Sequence, residues 1–237
     1  MSISFPRLSD IRTAILDVLF PYRCVGCGVE EQLLCQDCLS VQRRPSPPLC
    51  ESCGEEITAG RYCQNCETEP QAFDSVRSSF VYQDTIREAI IQFKYKGVTD
   101  LAAVLGREMA MTLAQWRVNC DLITPVPLHR RRFKERGYNQ AGLLAKVVAR
   151  ESGMVLEDTS LVRQVPTPQQ AKSMSIAERR SQVENAFGCT DHTAIIGKSI
   201  ILIDDVCTSG ATLSSCARVL KQAGARRVYG LTLAREV

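Results

Sequence analysis

The segment Ser199–Leu213, which reads SIILIDDVCTSGATL, constrains the fold more than any other part of the chain. The four aliphatic residues 200–203 are too few for a helix and are rich in β-branched side chains, which predicts a strand buried on both faces of a parallel sheet. Because an unpaired carboxylate is costly to bury, Asp204 and Asp205 are expected to end this strand at a solvent-facing crevice. The segment therefore predicts an α/β fold with polar groups at the carboxyl edge of its sheet.

The residues after the acidic pair predict a phosphate-binding loop. They are small and rich in hydroxyl groups, and they lead into an apolar-periodic helix that ends near Gly224. Free backbone N–H groups and the positive end of a helix dipole suit a phosphate monoester, and the neighbouring carboxylates suit sugar hydroxyls or Mg²⁺. The ligand predicted from this segment is a phosphate on a ribose. The predicted phosphate-binding residues are Thr208, Ser209, Gly210, Ala211 and Thr212.

Four Cys-x-x-Cys pairs predict metal-binding knuckles in the amino-terminal part of the chain. The chain has 12 cysteines in 237 residues, and two such pairs supply the four thiolates of the tetrahedral site that Zn²⁺ prefers. Gly28 and Gly54 each follow a knuckle, where a tight turn favours glycine. One or two structural zinc ions are therefore expected. The predicted zinc ligands are Cys24, Cys27, Cys35, Cys38, Cys50, Cys53, Cys63 and Cys66.

The sequence leaves the pairing of these cysteines open. Short loops favour consecutive sites, one within residues 24–38 and one within 50–66, over an interleaved arrangement or a single loaded site. Residues 1–70 hold six Lys and Arg against ten Asp and Glu, and four thiolates around each Zn²⁺ add further negative charge. We therefore expect a structural role for this region, although Arg43 and Arg44 leave room for a contact with DNA.

A basic segment follows a second predicted strand at 121–124. Residues 130–136 carry five cations, and a loop after a parallel strand projects from the same sheet edge as the acidic pair. Binding of a polyanion is therefore favoured over a merely solvated loop. Asn139 is placed to cap the next helix. Lys94 and Lys96, on either side of an aromatic residue, predict either a solvated helix end or a contact for a diphosphate.

Together these motifs resemble the ComF family, also called GntX-like, of the type I phosphoribosyltransferase superfamily. The resemblance covers the chain from about residue 15 and implies a type I phosphoribosyltransferase fold, an α/β fold with a mostly parallel sheet flanked by helices, behind a small Cys-rich zinc-ribbon module. The matching segments are PVPLHRRRFKERGYNQA at 125–141, TPQQ at 167–170, SIAERRSQVENAF at 175–187, IDDVCTSGAT at 203–212 and the Cys-x-x-Cys region.

The resemblance also implies roles for single residues. Asp204 and Asp205 would be the catalytic pair that contacts ribose hydroxyls and metal, and residues 208–212 would hold the 5-phosphate of 5-phosphoribosyl 1-pyrophosphate (PRPP). Thr167 and Gln170 would lie on a lid over the ligand. The residues on the pyrophosphate side, most of them basic, would be Lys94, Lys96, His129, Arg130, Arg131, Arg132, Arg136, Asn139 and Gln140.

The expected organisation is an amphipathic helix at 1–20, a double zinc-ribbon module at 21–70 and a phosphoribosyltransferase-type domain at 71–237. We expect PRPP or a related ribose 5-phosphate ligand with Mg²⁺ and, if the chain is an enzyme, pentosyl transfer with displacement of pyrophosphate. The alternative is a non-catalytic module of the same fold that handles single-stranded DNA or senses PRPP.

The resemblance further implies a cytoplasmic role in DNA uptake during natural transformation, or in nucleotide metabolism. Single-stranded DNA and competence-machinery proteins are the expected partners, and a homodimer is left open. The sequence has no apolar run that approaches the roughly 18 residues of a membrane span.

Overall fold

The computed structural model describes residues 22–163 and 186–236 of the chain. Two of the predictions made from the sequence lie outside these residues. They are the amphipathic helix at 1–20 and the lid that carries Thr167 and Gln170.

The chain divides between Gln42 and Arg43 into two compact units. The second group of cysteines, within residues 50–66, therefore belongs to the same unit as the sheet. The division expected from the sequence follows the repeat of Cys-x-x-Cys motifs and places both groups in one module at 21–70; that division stays a prediction.

The first unit is a small knuckle next to a short helix, α1 (Gln36–Ser40). The carbonyl of Cys24 accepts a hydrogen bond from Gly28 N–H, which closes a tight turn with Gly28 at φ +78°. This left-handed backbone favours glycine, as the sequence predicts. Cys35 occupies the N-cap of the helix, and the buried Leu39 supplies its apolar contact.

The second unit is built on a parallel sheet. Seven strands follow one another in the described chain: β1 (Ser75–Val81), β2 (Leu122–Pro125), β3 (Val155–Leu156), β4 (Leu161–Arg163), β5 (Phe187–Cys189), β6 (Ser199–Cys207) and β7 (Arg227–Arg235). Five of them form one sheet in the order β1-β7-β6-β2-β3, and every neighbouring pair in it is parallel. Strands β4 and β5 form a separate antiparallel pair. The parallel α/β architecture predicted from the sequence is confirmed.

The described part of this unit has six helices, which are α2 (Gln64–Thr68), α3 (Asp84–Tyr95), α4 (Leu101–Trp116), α5 (Arg130–Arg136), α6 (Gln140–Ser152) and α7 (Ala211–Gln222). Of these, α4, α6 and α7 pack against strands of the sheet. Helices α4 and α6 pack closely, because Gly106 has no side chain: a Cβ atom there would lie 2.6 Å from Cβ of Val147. Side chains alternate along a strand, so Ile200 and Leu202 of β6 point to the same face of the sheet. There they lie in one apolar cluster with Leu213 of α7.

The structure corrects two expectations near the predicted ligand site. Strand β6 does not end at the acidic pair but continues to Cys207, because its neighbour β7 extends alongside it and pairs Asp204 with Thr232. The basic segment at 130–136 forms the short helix α5 and is not a loop. His129 caps this helix by accepting a hydrogen bond from the Arg131 N–H, and Gly137 ends it at φ +82°.

Candidate ligand site and metal centres

The acidic pair lies near the carboxyl end of β6, where it is partly buried. Asp205 forms an ion pair with Lys94 of α3 at 2.6 Å, and the two side chains are 13% and 19% exposed. The carboxylate of Asp204 accepts a hydrogen bond from the Asp205 N–H at 2.8 Å. Burial, together with the negative charge of Asp205, raises the pKa of Asp204 to about 7. The pair is therefore a concentrated, poorly solvated negative site that favours a cation or sugar hydroxyls.

Two cations lie near the acidic pair, and sequence reasoning found only one of them. Lys94 was predicted and contacts Asp205, whereas its neighbour Lys96 points to Glu88 at 3.2 Å. Arg163, at the end of β4, was not predicted. Burial lowers the pKa of Arg163, and the nearby charges that act on it include Arg132 and Asp204. Its signal in the sequence is weak, since it is a single arginine just before the predicted lid.

The predicted phosphate loop, residues 208–212, joins β6 to the amino end of α7. Thr208 and Ser209 are exposed, and Oγ of Ser209 accepts a hydrogen bond from the Ala211 N–H at 3.4 Å. Gly210 has φ +77°, and a Cβ atom there would lie 3.3 Å from the ring of Phe73. Helix α7 starts at Ala211, so the N–H groups of Thr212 and Leu213, which have no acceptor within the helix, lie just after this glycine. The loop therefore has the shape and the donors that a phosphate monoester requires.

The basic helix α5 forms one wall of a cavity of about 460 Å³. Lys94 and Tyr95 line the opposite side, and Arg132, Arg136 and Tyr138 line the side of α5. The guanidinium of Arg136 lies 4.9 Å from the ring centroid of Tyr95. The Tyr138 hydroxyl donates to the carbonyl of Phe93, which holds the end of α5 beside the end of α3. Lys94 belongs both to this cavity and to the acidic pair, so the two are adjacent.

The other residues predicted on the pyrophosphate side fall into two groups. His129, Arg130 and Arg131 line a second, more open cavity of about 480 Å³ with Lys134, and Arg131 pairs with Glu135 at 2.9 Å. The predicted cap Asn139 does precede α6, but its side chain donates to the carbonyl of Val126 at 3.0 Å and makes no cap bond to the helix. Gln140 is buried and accepts a hydrogen bond from Arg136 at 2.9 Å, so it helps to hold the Arg136 side chain in the wall of the basic cavity.

The eight predicted zinc ligands gather into two four-cysteine clusters. One contains Cys24, Cys27, Cys35 and Cys38, and the other contains Cys50, Cys53, Cys63 and Cys66. Within each cluster all four sulfur atoms lie within 4.8 Å of one another, and Cys24–Cys35 and Cys53–Cys63 are each 3.6 Å apart. A tetrahedron with Zn–S bonds of about 2.3 Å has edges of about 3.8 Å, so both clusters fit Zn²⁺. The consecutive pairing is confirmed.

The second cluster is joined to β1 through its first knuckle. The carbonyl of Ser52 accepts a hydrogen bond from the Val76 N–H at 2.7 Å. Gly54 has φ +77°, and a Cβ atom there would lie 2.5 Å from the carbonyl oxygen of Val76. Nearby, Arg43 pairs with Glu56, so this part of the basic patch considered for DNA is neutralised.

Two family models match the chain. The model of the double zinc ribbon domain matches residues 15–67, and that of the phosphoribosyl transferase domain matches residues 136–236. These matches, the two cysteine clusters and the parallel sheet agree in placing a phosphoribosyltransferase-type fold behind zinc-binding ribbons that hold structural Zn²⁺. None of the described helices has the length and apolar composition that a membrane span requires.

Curated relatives match nearly the whole chain. Competence protein ComFC of Bacillus subtilis is 31% identical over 86% of this chain and 85% of its own length. Competence protein F of Haemophilus influenzae is 26% identical over 91% of this chain and 98% of its own length. DNA utilization protein YhgH of Escherichia coli K12 is 27% identical over 85% of this chain and 90% of its own length.

Proposed function

Because the chain belongs to the ComF family of competence proteins, we propose that it binds PRPP, or a related ribose 5-phosphate ligand, together with Mg²⁺ at the carboxyl edge of its sheet. One observation carries this proposal. A partly buried acidic pair, two nearby cations and a helix-terminal phosphate loop all lie at the end of β6. The pieces match the three parts of the ligand, which are a phosphate, a ribose and a diphosphate.

Each part of the ligand has its own partners in the chain. The backbone N–H groups and hydroxyls of residues 208–212 bind the 5-phosphate. Asp204 and Asp205 accept hydrogen bonds from the ribose hydroxyls and hold Mg²⁺, which neutralises charge on the diphosphate when it is bound. Lys94 and Arg163, the two cations near the acidic pair, attract the diphosphate.

Lys94 and Asp205 pair with each other in the ligand-free protein, so ligand binding gives each of them a new partner. Without ligand each charge neutralises the other at 2.6 Å. A diphosphate offers Lys94 a stronger anion, and Mg²⁺ or a ribose hydroxyl offers Asp205 a replacement for the ammonium group. Lys94 and Asp205 therefore each have a partner both with and without ligand. If an acceptor also binds, the same arrangement supports pentosyl transfer with release of pyrophosphate, because water and solvent ions are partly excluded there.

The test is a calorimetric titration of PRPP and Mg²⁺ into the zinc-loaded protein. The variant Asp204→Asn/Asp205→Asn keeps the size of both side chains and removes both charges, and we expect it to lose binding. Asp158→Asn removes one exposed carboxylate outside the site and serves as the matched control. Binding by the wild type and the control but not by the double variant supports the proposal. Equal binding by all three proteins, or none by the wild type, refutes it.

A second candidate function is the binding of single-stranded DNA across the basic helix α5, in keeping with the names of the competence and DNA utilization relatives. Two exposed aromatic side chains favour it: Tyr95, 71% exposed beside Arg136, and Phe133, 48% exposed within the helix. Bases stack on exposed aromatic rings while cations follow the phosphates, and this combination is typical of single-strand binding.

Fluorescence anisotropy with a labelled oligothymidylate over a range of salt concentrations tests this candidate. Neutralising Arg130, Arg131 and Arg132 together should weaken binding and reduce the slope of log K against log salt by about 2, at about 0.7 for each lost phosphate contact. The control replaces three exposed arginines on α3, α4 and α6, which are Arg87, Arg107 and Arg150. An equal loss in both triple variants, or an unchanged slope, excludes α5 as the DNA site.

A further inference from the structure

Arg235, the last residue of β7, is a buried cation between the second zinc site and the phosphate loop. The second zinc site is the cluster Cys50, Cys53, Cys63 and Cys66. Arg235 is 5% exposed. Its Nη1 donates to the carbonyl of Cys53 at 2.8 Å and to Sγ of Cys207 at 3.4 Å, and its Nη2 donates to Sγ of Cys53 at 3.4 Å. One guanidinium group thus contacts a zinc ligand and the residue that precedes the phosphate loop.

The charge of Arg235 needs a partner that the zinc site supplies. Guanidinium stays protonated in proteins, and a buried charge is stable only when it is paired. A zinc ion with four thiolates carries two negative charges, and Glu55 adds a carboxylate 3.7 Å from Nη2. Among the described residues Nε of Arg235 has no hydrogen-bond partner, so Nη1 and Nη2 make the hydrogen bonds of this guanidinium group. The metal holds Cys53, and Cys53 in turn fixes the position of Arg235.

The phosphate loop rests on the same group of side chains. Cys207 is 2% exposed, and its sulfur lies 4.0 Å from the position of a Cβ atom on Gly210. The ring of Phe73 supports Gly210 from beside it, and Phe73 belongs to the same buried apolar cluster as Cys53. Burial raises the pKa of the Cys207 thiol, so this cysteine packs as a neutral side chain.

We propose that Arg235 is a positioning residue that couples the second zinc site to the phosphate loop, so that loss of metal from that site loosens the loop and weakens the binding of phosphate ligands. The first zinc site, Cys24, Cys27, Cys35 and Cys38, belongs to the other compact unit and serves as the comparison. The part of the proposal that concerns ligand affinity rests on the proposed function; the coupling itself concerns metal retention and loop order and does not.

Three variants isolate the role of the guanidinium. Arg235→Leu removes it, and Arg235→Lys keeps the charge but cannot bridge two partners with a planar fork. Arg227→Leu is the control, because it removes an exposed, ion-paired arginine from the other end of the same strand. Each protein is measured for zinc release to a chromophoric chelator, for hydrogen exchange of the amides of residues 207–212, and for calorimetric affinity for ribose 5-phosphate and PRPP.

Arg235→Leu should bind one of its two zinc ions about 10-fold to 100-fold more weakly, as is typical when a partner of a metal ligand is lost, and should release that ion faster to the chelator. It should also speed exchange in residues 207–212 and weaken ligand binding, with Arg235→Lys between it and the wild type and Arg227→Leu unchanged. Removing a ligand of the second site by Cys66→Ser should likewise speed loop exchange, whereas Cys38→Ser in the first site should not.

Unchanged zinc release and unchanged loop exchange in Arg235→Leu overturn the proposal, and so does equal loop exchange in Cys66→Ser and Cys38→Ser. If Cys66→Ser does not fold, the Arg235 variants alone decide, because they keep all eight zinc ligands. A wild-type protein that binds neither ribose 5-phosphate nor PRPP refutes the proposed function and leaves the coupling to be decided by zinc release and hydrogen exchange, which need no ligand.

Discussion

Replacing Asp204 by asparagine should stabilise the ligand-free protein while it abolishes ligand binding. Burial and the charge of Asp205 raise the pKa of Asp204 from 3.8 to about 7. Since one pKa unit corresponds to about 1.4 kcal/mol, the ionised carboxylate destabilises the folded state by up to about 4 kcal/mol above pH 7. Asparagine has nearly the same shape and no charge, so it removes this destabilisation.

The sign of the pH dependence follows from which state binds the proton. Between the unfolded pKa of 3.8 and the folded pKa of about 7, the folded protein keeps a proton on Asp204 that the unfolded chain has lost. The contribution of this carboxyl to stability is therefore greatest below about pH 4 and falls as the pH rises towards 7. From about pH 6 to pH 8 the advantage of Asp204→Asn over the wild type should grow by about 1.4 kcal/mol.

Urea unfolding followed by circular dichroism, without added Mg²⁺ and with zinc retained, measures this difference. Comparing variant and wild type at each pH cancels the pH dependence that the zinc sites impose on both. Asp158→Asn, on an exposed carboxyl outside the site, should show no such growth. The reasoning is refuted if the stability difference between Asp204→Asn and the wild type stays constant between about pH 6 and pH 8, or if the variant is the less stable protein at about pH 8.

Two further predictions concern glycines. Gly54→Ala should lower the free energy of unfolding, measured by urea titration, more than Gly28→Ala does. Both glycines have left-handed backbone, which costs an alanine about 1–2 kcal/mol. Only at Gly54 would the new Cβ also meet a backbone carbonyl, that of Val76, at 2.5 Å. Gly106→Ala should destabilise the protein by about 1–3 kcal/mol through overpacking against Val147, and adding Val147→Ala should recover part of the loss; additive losses in the double variant would contradict this interpretation.

The strand and helix pattern of the sheet could be predicted because it depends on local periodicity. The aliphatic run at 200–203 is buried as expected, the strand predicted at 121–124 appears as β2, and the helix predicted to end near Gly224 appears as α7. The end of β6 could not be predicted in the same way. Whether Asp204 continues a strand depends on the length of β7, which lies beside it in space and more than 20 residues away in sequence.

The candidate site shows the same division between local and distant information. The phosphate loop and both cysteine clusters follow from short motifs, since their members are close in sequence and the chemistry demands those residue types. Arg163 and Arg235 were missed because they are isolated arginines whose partners are distant; Arg235 contacts Cys53 across 182 positions. The helical form of residues 130–136 was missed because the inference from a strand end favoured a loop.

The position of β7 bears on the order in which the chain can fold during synthesis. Strand β7 lies between β1 and β6, and in the described chain β1 has no other neighbour in the sheet. Residues 75–81 therefore leave the ribosome about 150 positions before the strand that completes their hydrogen bonds. The cysteines at 24–38 and those at 50–66 can each close around zinc early, whereas the contact between Cys53 and Arg235 forms only after β7 has been made. A nascent chain stalled before residue 227 should thus expose an unpaired β1 edge to chaperones or to other chains.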